Sequence, residues 1–350
     1  MKIKKNIVLK IGTTSIIKNE LLNTEFIESL AKSVKFLKEE GINTIIVTSG
    51  AVQLGANELG HKKRPTNLKS LQVASSVGQI DLINSYKTIF NKYDLKVGQV
   101  LMSKNVIEDR SQFINTTEAI NELLNQNIIP IINENDIVAT EELKFGDNDR
   151  LSAIVAIITK ANKLVIITDQ EGLFNSDPRS TKDAEKIDYI EFDSEELTNL
   201  IEKSSSGSGM GGFSTKIMAA QMAGFSGIPT QIISWSDEAI FNSINGIKIG
   251  TLIKPSLKKV KLKKLWIAYG LQIVGQIIID DGAVEAIRSD ASLLSIGIKE
   301  IVQGFDNEEG INIFDAQNKL IAKGISNINS SSISNINNEI VMHKDNLLIL

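Results

Sequence analysis

The chain has 350 residues, a formal net charge of −4, no cysteine, and two histidines, His61 and His343. The absent cysteine excludes disulfides, thiolate nucleophiles and cysteine-ligated zinc, and two histidines argue against a Ser-His-Asp triad or a multi-histidine metal centre. The acidic balance argues against non-specific nucleic-acid binding as the main task, since that wants a basic field.

Short apolar runs bounded by turn residues predict strands over 6–11, 44–48, 97–102, 128–132, 163–168 and 230–233. Helix-period stretches alternate with them over 25–38, 71–93, 116–125, 150–159 and 214–223. This alternation predicts a three-layer α/β/α sandwich with a mostly parallel central sheet, whose ligands sit at the carboxyl ends of the strands. The pattern changes near Thr251, and the basic run 258–264 reads as a linker or solvated edge. Short strand candidates follow at 275–279, 300–302, 311–314 and 320–322, separated by Gly, Asp and Asn. They predict a small, mostly β domain, so the expected division is 1–255 and 265–350. The Ser- and Asn-rich stretch 326–338 fits a loop or a short helix equally. The apolar run 7–11 is too short for a signal segment, and no run reaches the roughly 18 residues of a membrane span, so a cytoplasmic protein without membrane contact is expected.

Five segments carry candidate chemistry. Lys10 stands near the end of the first strand, followed by Gly12 and the hydroxyls of Thr13, Thr14 and Ser15. Glycine permits close backbone approach and lysine adds a point charge, so an anion fits there; a strand with one chance lysine fits as well. Ser49 sits in Val47-Thr48-Ser49-Gly50-Ala51, either a carboxylate or phosphate site or a plain βα turn. Asn133-Glu134-Asn135-Asp136 and, later, Gly146-Asp147-Asn148-Asp149 cluster carboxylates and amides at two strand-to-helix junctions. Clustered carboxylates need partners, and a substrate ammonium, a lysine or a hard ion such as magnesium would each serve. Thr168-Asp169 closes a buried strand and marks a nucleotide edge or a simple turn. The stretch Gly207 to Lys216 spells G-x-G-x-x-G, but no strand precedes it, and Lys216 follows Ser214 and Thr215 where a Walker A lysine would precede them. What remains is a glycine-rich loop, with Gly211, Gly212 and Phe213, leading into a helix whose first turn carries Ser214, Thr215 and Lys216. N–H groups, dipole and lysine charge together make an anion site.

In order and spacing, Val47 to Ala51, Gln72 to Gln79, Glu108-Asp109-Arg110, Asn133 to Asp136, Gly146 to Asp149, Thr168 to Leu173, Asp177-Pro178-Arg179 and Gly211 to Lys216 resemble the amino acid kinase family. The pairing of Asn-Glu-Asn-Asp with Gly-Asp-Asn-Asp is specific to its glutamate-phosphorylating branch. Asp280 to Ala283, Ser292 to Leu294, Gly297-Ile298 and His343 to Asp345 resemble the PUA domain that follows many such kinases. The resemblance implies ATP- and Mg2+-dependent phosphorylation of the γ-carboxylate of L-glutamate, the first step of proline biosynthesis. It implies that Lys10 and Lys216 neutralise charge on the phosphoryl group, with Asp149 holding both lysines. Ser49, Asp136 and Asn148 would grip glutamate, and Thr168, Asp169 and the 211–216 loop would line the ATP site. It also implies a homo-oligomer, feedback inhibition by proline, and hand-off of the product to glutamyl phosphate reductase.

Two positions depart from the family pattern. Thr117 stands where the family commonly has Arg, which bears on inhibition by proline. The usual aromatic near 326–330 is missing, with Ile328 nearby, which bears on the role of the last domain. Two other readings compete. An acceptor such as aspartate, N-acetylglutamate or a nucleoside monophosphate would keep the fold; a nucleotide would want more basic residues than 133–136 and 147–149 supply. An RNA-binding protein with a degenerate kinase domain is disfavoured by the complete set Lys10, Asp149 and Lys216.

Overall fold

The computed structural model describes residues 5–103, 106, 110–138, 148–176, 181, 183–197, 199–200, 211–255, 264, 267, 271, 273–335 and 338–349. The chain divides into two units, Met1–Lys259 and Val260–Leu350. In the first, the main strands are β1 (Lys5–Ile11), β2 (Ile42–Val47), β3 (Lys96–Met102), β4 (Ile128–Glu134), β5 (Lys163–Thr168), β6 (Tyr189–Glu191), β7 (Thr230–Ser234) and β8 (Thr251–Lys254). They form one sheet in the order β6-β8-β7-β5-β1-β2-β4-β3. Every pairing is parallel except that between β7 and β8. The mostly parallel sheet expected from the alternating pattern is therefore present, with boundaries shifted by one or two residues.

Among the described residues, the longer helices of this unit are α1 (Thr24–Glu39), α2 (Ala51–Glu58), α3 (Leu68–Asn91), α4 (Arg110–Asn125), α5 (Asp149–Ile158), α6 (Gly211–Phe225) and α7 (Ala239–Ile244). Asn23 and Asn67 cap α1 and α3, their side chains accepting from the N–H groups of Phe26 and Ser70. Strand alternation divides β1 between the two faces. Ile7, Leu9 and Ile11 join a core with Leu30 and Leu37 of α1 and Leu82 and Tyr86 of α3. Val8 and Lys10 take the opposite parity. Helix α5, which has nine buried residues out of ten, is sequence-signalled by its apolar run 151–158, as befits an inner helix.

One partly buried charge lies away from the carboxyl ends of the strands. Lys163 opens β5, and its Nζ donates to the carbonyl of Ser243. Burial pushes this ammonium down to about 8 from 10.5. The folded chain thus gives up the proton before the unfolded chain does, and stability rises as pH climbs through that window. Relative to Lys163→Met, the wild type is expected to gain stability between about pH 8 and about pH 10, measured by urea midpoints. Parallel pH profiles for the two proteins would contradict this.

The second unit carries a five-stranded sheet of β9 (Ile273–Ile279), β10 (Ile298–Gln303), β11 (Gly310–Phe314), β12 (Leu320–Ile325) and β13 (Leu347–Ile349), ordered β10-β9-β11-β12-β13. It is mostly β, as expected. A helix absent from the sequence reading, α8 (Asp281–Arg288), lies within it, capped by Asp280 accepting from the N–H of Ala283. Within 326–338, Ser330–Asn335 forms a short 3-10 helix.

Candidate active site

The carboxyl ends of β1, β2, β4 and β5 meet where strand order reverses about β1, the place where open α/β sheets hold ligands. Lys10 pairs with Val47 and Ile166 in the sheet register, one residue before β1 ends. Its side chain is buried, and Nζ lies 2.7 Å from Oδ1 of Asp149. Asp149 is the first residue of α5, where the helix dipole favours a negative charge. Its other oxygen, Oδ2, lies 3.2 Å from Nζ of Lys216 and accepts from the Thr215 hydroxyl at 2.9 Å. Both cationic partners of Asp149 thus come from elements far apart in sequence, β1 and the first turn of α6. The structure joins Lys10, Asp149, Thr215 and Lys216 in one cluster, with the Asp149 side chain at 0% exposure and Lys216 at 14%.

A second cluster surrounds Asn148. As the residue before α5 it stands where a cap would be, yet its side chain makes no cap. Nδ2 donates instead to the carbonyl of Thr48 at 2.6 Å and to Oδ1 of Asn133 at 2.7 Å. Asn133 Nδ2 in turn donates to Oε1 of Gln79 at 2.7 Å. Asp136 accepts from the Ser75 hydroxyl. Ser49 is buried at the end of β2, ahead of Gly50, whose φ of 102° is open to glycine and where a Cβ would come within 2.7 Å of Ile16. Thr48 shares a hydrogen bond with the hydroxyl of Tyr86 at 3.0 Å. Burial pushes that hydroxyl's pKa up, so it stays protonated.

Thr168 and Asp169 lie elsewhere. Thr168 closes β5 and donates to Asp169 at 3.0 Å. Both line a pocket of about 460 Å³ with Thr14, Ser15, Phe26 and Trp235. Lys10, Asp149 and Lys216 are not among its walls. Phe213 and Ser214 are half-buried in the first turn of α6, which opens with Gly211 and Gly212. Motif positions 108–109, 146–147, 177–179 and 207–209, and 258–263 of the basic run, lie outside the described residues. Asn133, Ser75 and Gln79 escaped selection as site residues. The signal for Asn133 was its place in the Asn-Glu-Asn-Asp run, and that for Ser75 and Gln79 their place in the run Gln72 to Gln79, though only the folded pairing shows what each touches.

Comparisons with known proteins bear on the family and the fold. The model of the amino acid kinase family matches residues 5–234, and that of the PUA domain matches 275–344. Glutamate 5-kinase from Prochlorococcus marinus (strain MIT 9301) is 39% identical, over 98% of this chain and 99% of its own length. Glutamate 5-kinase from Thermoanaerobacter sp. (strain X514) is 36% identical, over 98% of this chain and 97% of its own. Among solved structures, carbamate kinase from Giardia lamblia, bound to AMP-PNP, overlays with a TM-score of 0.53 at 14% identity, covering 73% of this chain and all of the other. UMP kinase from Bacillus anthracis gives 0.50 at 14% identity, covering 71% of this chain and 96% of its own. The last two speak for the fold alone.

Proposed function

We propose a reaction from one premise: the chain belongs to the amino acid kinase family. It transfers the γ-phosphoryl group of ATP to the side-chain carboxylate of L-glutamate, giving L-glutamyl 5-phosphate, the first step of proline biosynthesis. The observation that carries this reading is the Asp149 carboxylate bridging Lys10 and Lys216, with the amide cluster of Asn148 and Asn133 beside it in sequence and fold.

The chemistry follows from charge. A carboxylate is ionised at neutral pH, so no strong general base is needed. One carboxylate oxygen forms a bond to the γ-phosphorus as the bond from that phosphorus to the β-bridging oxygen breaks, and ADP leaves with the electron pair. Alignment and charge neutralisation then carry the rate. Lys10 and Lys216 face the transferring group, and Asp149 sets their separation. Asp136 and Asn148 bind the amino-acid acceptor, Asp136 through its ammonium, and Ser49 its carboxylate. Thr168, Asp169 and the turn from Gly211 to Lys216 line the nucleotide.

Magnesium fits as an ion carried on the ATP phosphates, since it keeps waters and binds through substrate phosphates more readily than in a protein cage. Asp149, with both oxygens engaged by lysines and Thr215, acts here as a lysine anchor. When bound, the ion neutralises charge on the phosphates. The two domains are read as 1–255, the kinase, and 265–350, PUA-like. The product is an acyl phosphate that hydrolyses readily, which favours rapid consumption by glutamyl phosphate reductase. A homo-oligomer, inhibition by proline and a cytoplasmic location complete the reading. Among the described residues no helix is long and apolar enough to cross a membrane.

The test is acyl phosphate formation, trapped as the hydroxamate, with glutamate, aspartate and N-acetylglutamate compared, and UMP followed by ADP release. Glutamate is expected to be the preferred acceptor. Asp136→Ala is expected to lower kcat/KM for glutamate by about a hundredfold, the loss of one charge-assisted contact, while the KM for ATP stays within about twofold. Preferred turnover of another acceptor would overturn the substrate and keep the fold.

A further inference from the structure

Helix α3 makes a row of polar contacts that the reaction as described does not use. Gln72 Nε2 donates to the carbonyl of Ile137 at 3.1 Å. Ser75 donates to Asp136. Gln79 accepts from Asn133 at 2.7 Å. Positions 72, 75 and 79 are spaced by three and four, so they form one stripe on one helix face. Their partners run 137, 136 and 133, in the opposite order. The stripe therefore grips the end of β4 and the segment after it at three points, antiparallel to it. Two helical turns further, Tyr86 continues the same face and reaches Thr48 at the end of β2.

The donor and acceptor pattern is more telling than the contacts. Asn148 commits both Nδ2 protons, one to Thr48 and one to Asn133. Asn133 Oδ1 takes that proton and also accepts from the N–H of Glu134 at 3.0 Å. With its oxygen so occupied, Asn133 must offer Nδ2 to Gln79, and Gln79 must answer with Oε1. Each amide fixes the orientation of the next. The chain ends with Asn148 Oδ1 as the acceptor which that side chain offers a ligand, and with Asp136 oriented by the Ser75 hydroxyl.

We propose that Ser75 and Gln79 are positioning residues for the acceptor. Gln79 holds Asn148 through Asn133, and Ser75 holds Asp136, so that both present acceptors to the ammonium of an amino-acid substrate. Neither touches the transferring phosphoryl group, and their work is on acceptor affinity. The inference rests on the reading of Asn148 and Asp136 as acceptor-binding groups.

The experiment is steady-state kinetics on the full chain with Gln79→Leu, Gln79→Glu and Ser75→Ala, each checked by thermal melting. Gln79→Leu removes the acceptor that orients Asn133 and is expected to raise the KM for the amino acid by about tenfold, with the KM for ATP within about twofold and kcat within about threefold. Gln79→Glu restores an oxygen at the same place and is expected to return the acceptor KM to within about threefold of wild type. Ser75→Ala is expected to raise the acceptor KM alone. An acceptor KM unmoved by Gln79→Leu overturns the proposal, as do equal rises in both KM values or a failure of Gln79→Glu to rescue. If Gln79→Leu melts early, Gln79→Glu and Ser75→Ala decide by the same ratio of KM values. The wild type run against all three amino-acid acceptors separates the two claims. Preference for aspartate would sink the glutamate assignment, and the positioning claim would then be judged on the aspartate KM.

Discussion

Asp149→Ala is expected to reduce kcat by about a thousandfold or more and to destabilise the fold by about 3–5 kcal/mol. The two losses have separate causes. Lys10 is 1% exposed and its ammonium stands 2.7 Å from Asp149. Without the carboxylate the buried ammonium loses its 2.7 Å partner, and the fold then either sheds the proton or opens to admit water. Shedding it removes half of the charge that faces the phosphoryl group. Lys216→Ala should behave differently. It leaves the Lys10–Asp149 pair intact, and at 14% exposure Lys216 is less costly to lose. Its expected signature is a comparable loss of turnover with less than about 1 kcal/mol of stability. A double variant, Lys10→Met with Asp149→Leu, is expected to regain much of the stability and none of the activity, since the buried charge is then gone from both sides. Hydroxamate yield and chemical unfolding read the two effects separately. Turnover within tenfold of wild type in Asp149→Ala would detach the lysine bridge from the chemistry.

That bridge shows what the sequence discloses. Lys10 and Lys216 are legible because one stands near the end of a strand and the other follows a glycine-rich run, local patterns with a physical reason. Their meeting at Asp149 is a property of strand order. β1 lies between β2 and β5, and α5 precedes β5, so three remote segments converge. The strands 6–11 and 163–168 read directly as apolar-rich runs because both faces of a parallel sheet are covered. Helix α2 was hidden, since its eight residues, Ala51–Glu58, have too short a run to show a period and begin inside a turn motif. Helix α8 was hidden by its Asp-Asp-Gly opening, which reads as a turn until Asp280 is seen as its cap. Ser75 and Gln79 lie in the quoted run Gln72 to Gln79, but their partners were invisible, since these stand 61 and 54 residues away and no spacing rule reaches that far.

The largest structural effect is expected where α2 crosses α3. A Cβ on Gly55 would stand 1.8 Å from the carbonyl oxygen of Ala74, and one on Gly78 2.1 Å from that of Ala51. Both obstacles are backbone, so neither can swing aside. The helices touch through their main chains, and each glycine needs the other. Gly78→Ala is expected to push the helices apart, costing about 3 kcal/mol or more and lowering the melting temperature by about 6 °C or more. The effect should not stop at stability. Gly78 lies between Ser75 and Gln79 on the helix that orients Asp136 and Asn133. A shift of α3 by even a fraction of an ångström spoils hydrogen bonds that are direction-sensitive. The acceptor KM is therefore expected to rise in whatever fraction of Gly78→Ala folds, with the KM for ATP little changed. Gly282→Ala in α8 is the control: a Cβ there would meet only Asp280 Oδ1 at 3.4 Å, so it is expected to be neutral or stabilising by about 0.5 kcal/mol. Should Gly78→Ala melt with the wild type, the close crossing would not be what sets the position of α3. Normal melting with a raised acceptor KM would place the helix's tolerance in its packing and its precision in the acceptor site. A lowered melting point with unchanged acceptor KM would separate the crossing from the stripe it carries, leaving Ser75 and Gln79 to hold their partners through local hydrogen bonds alone.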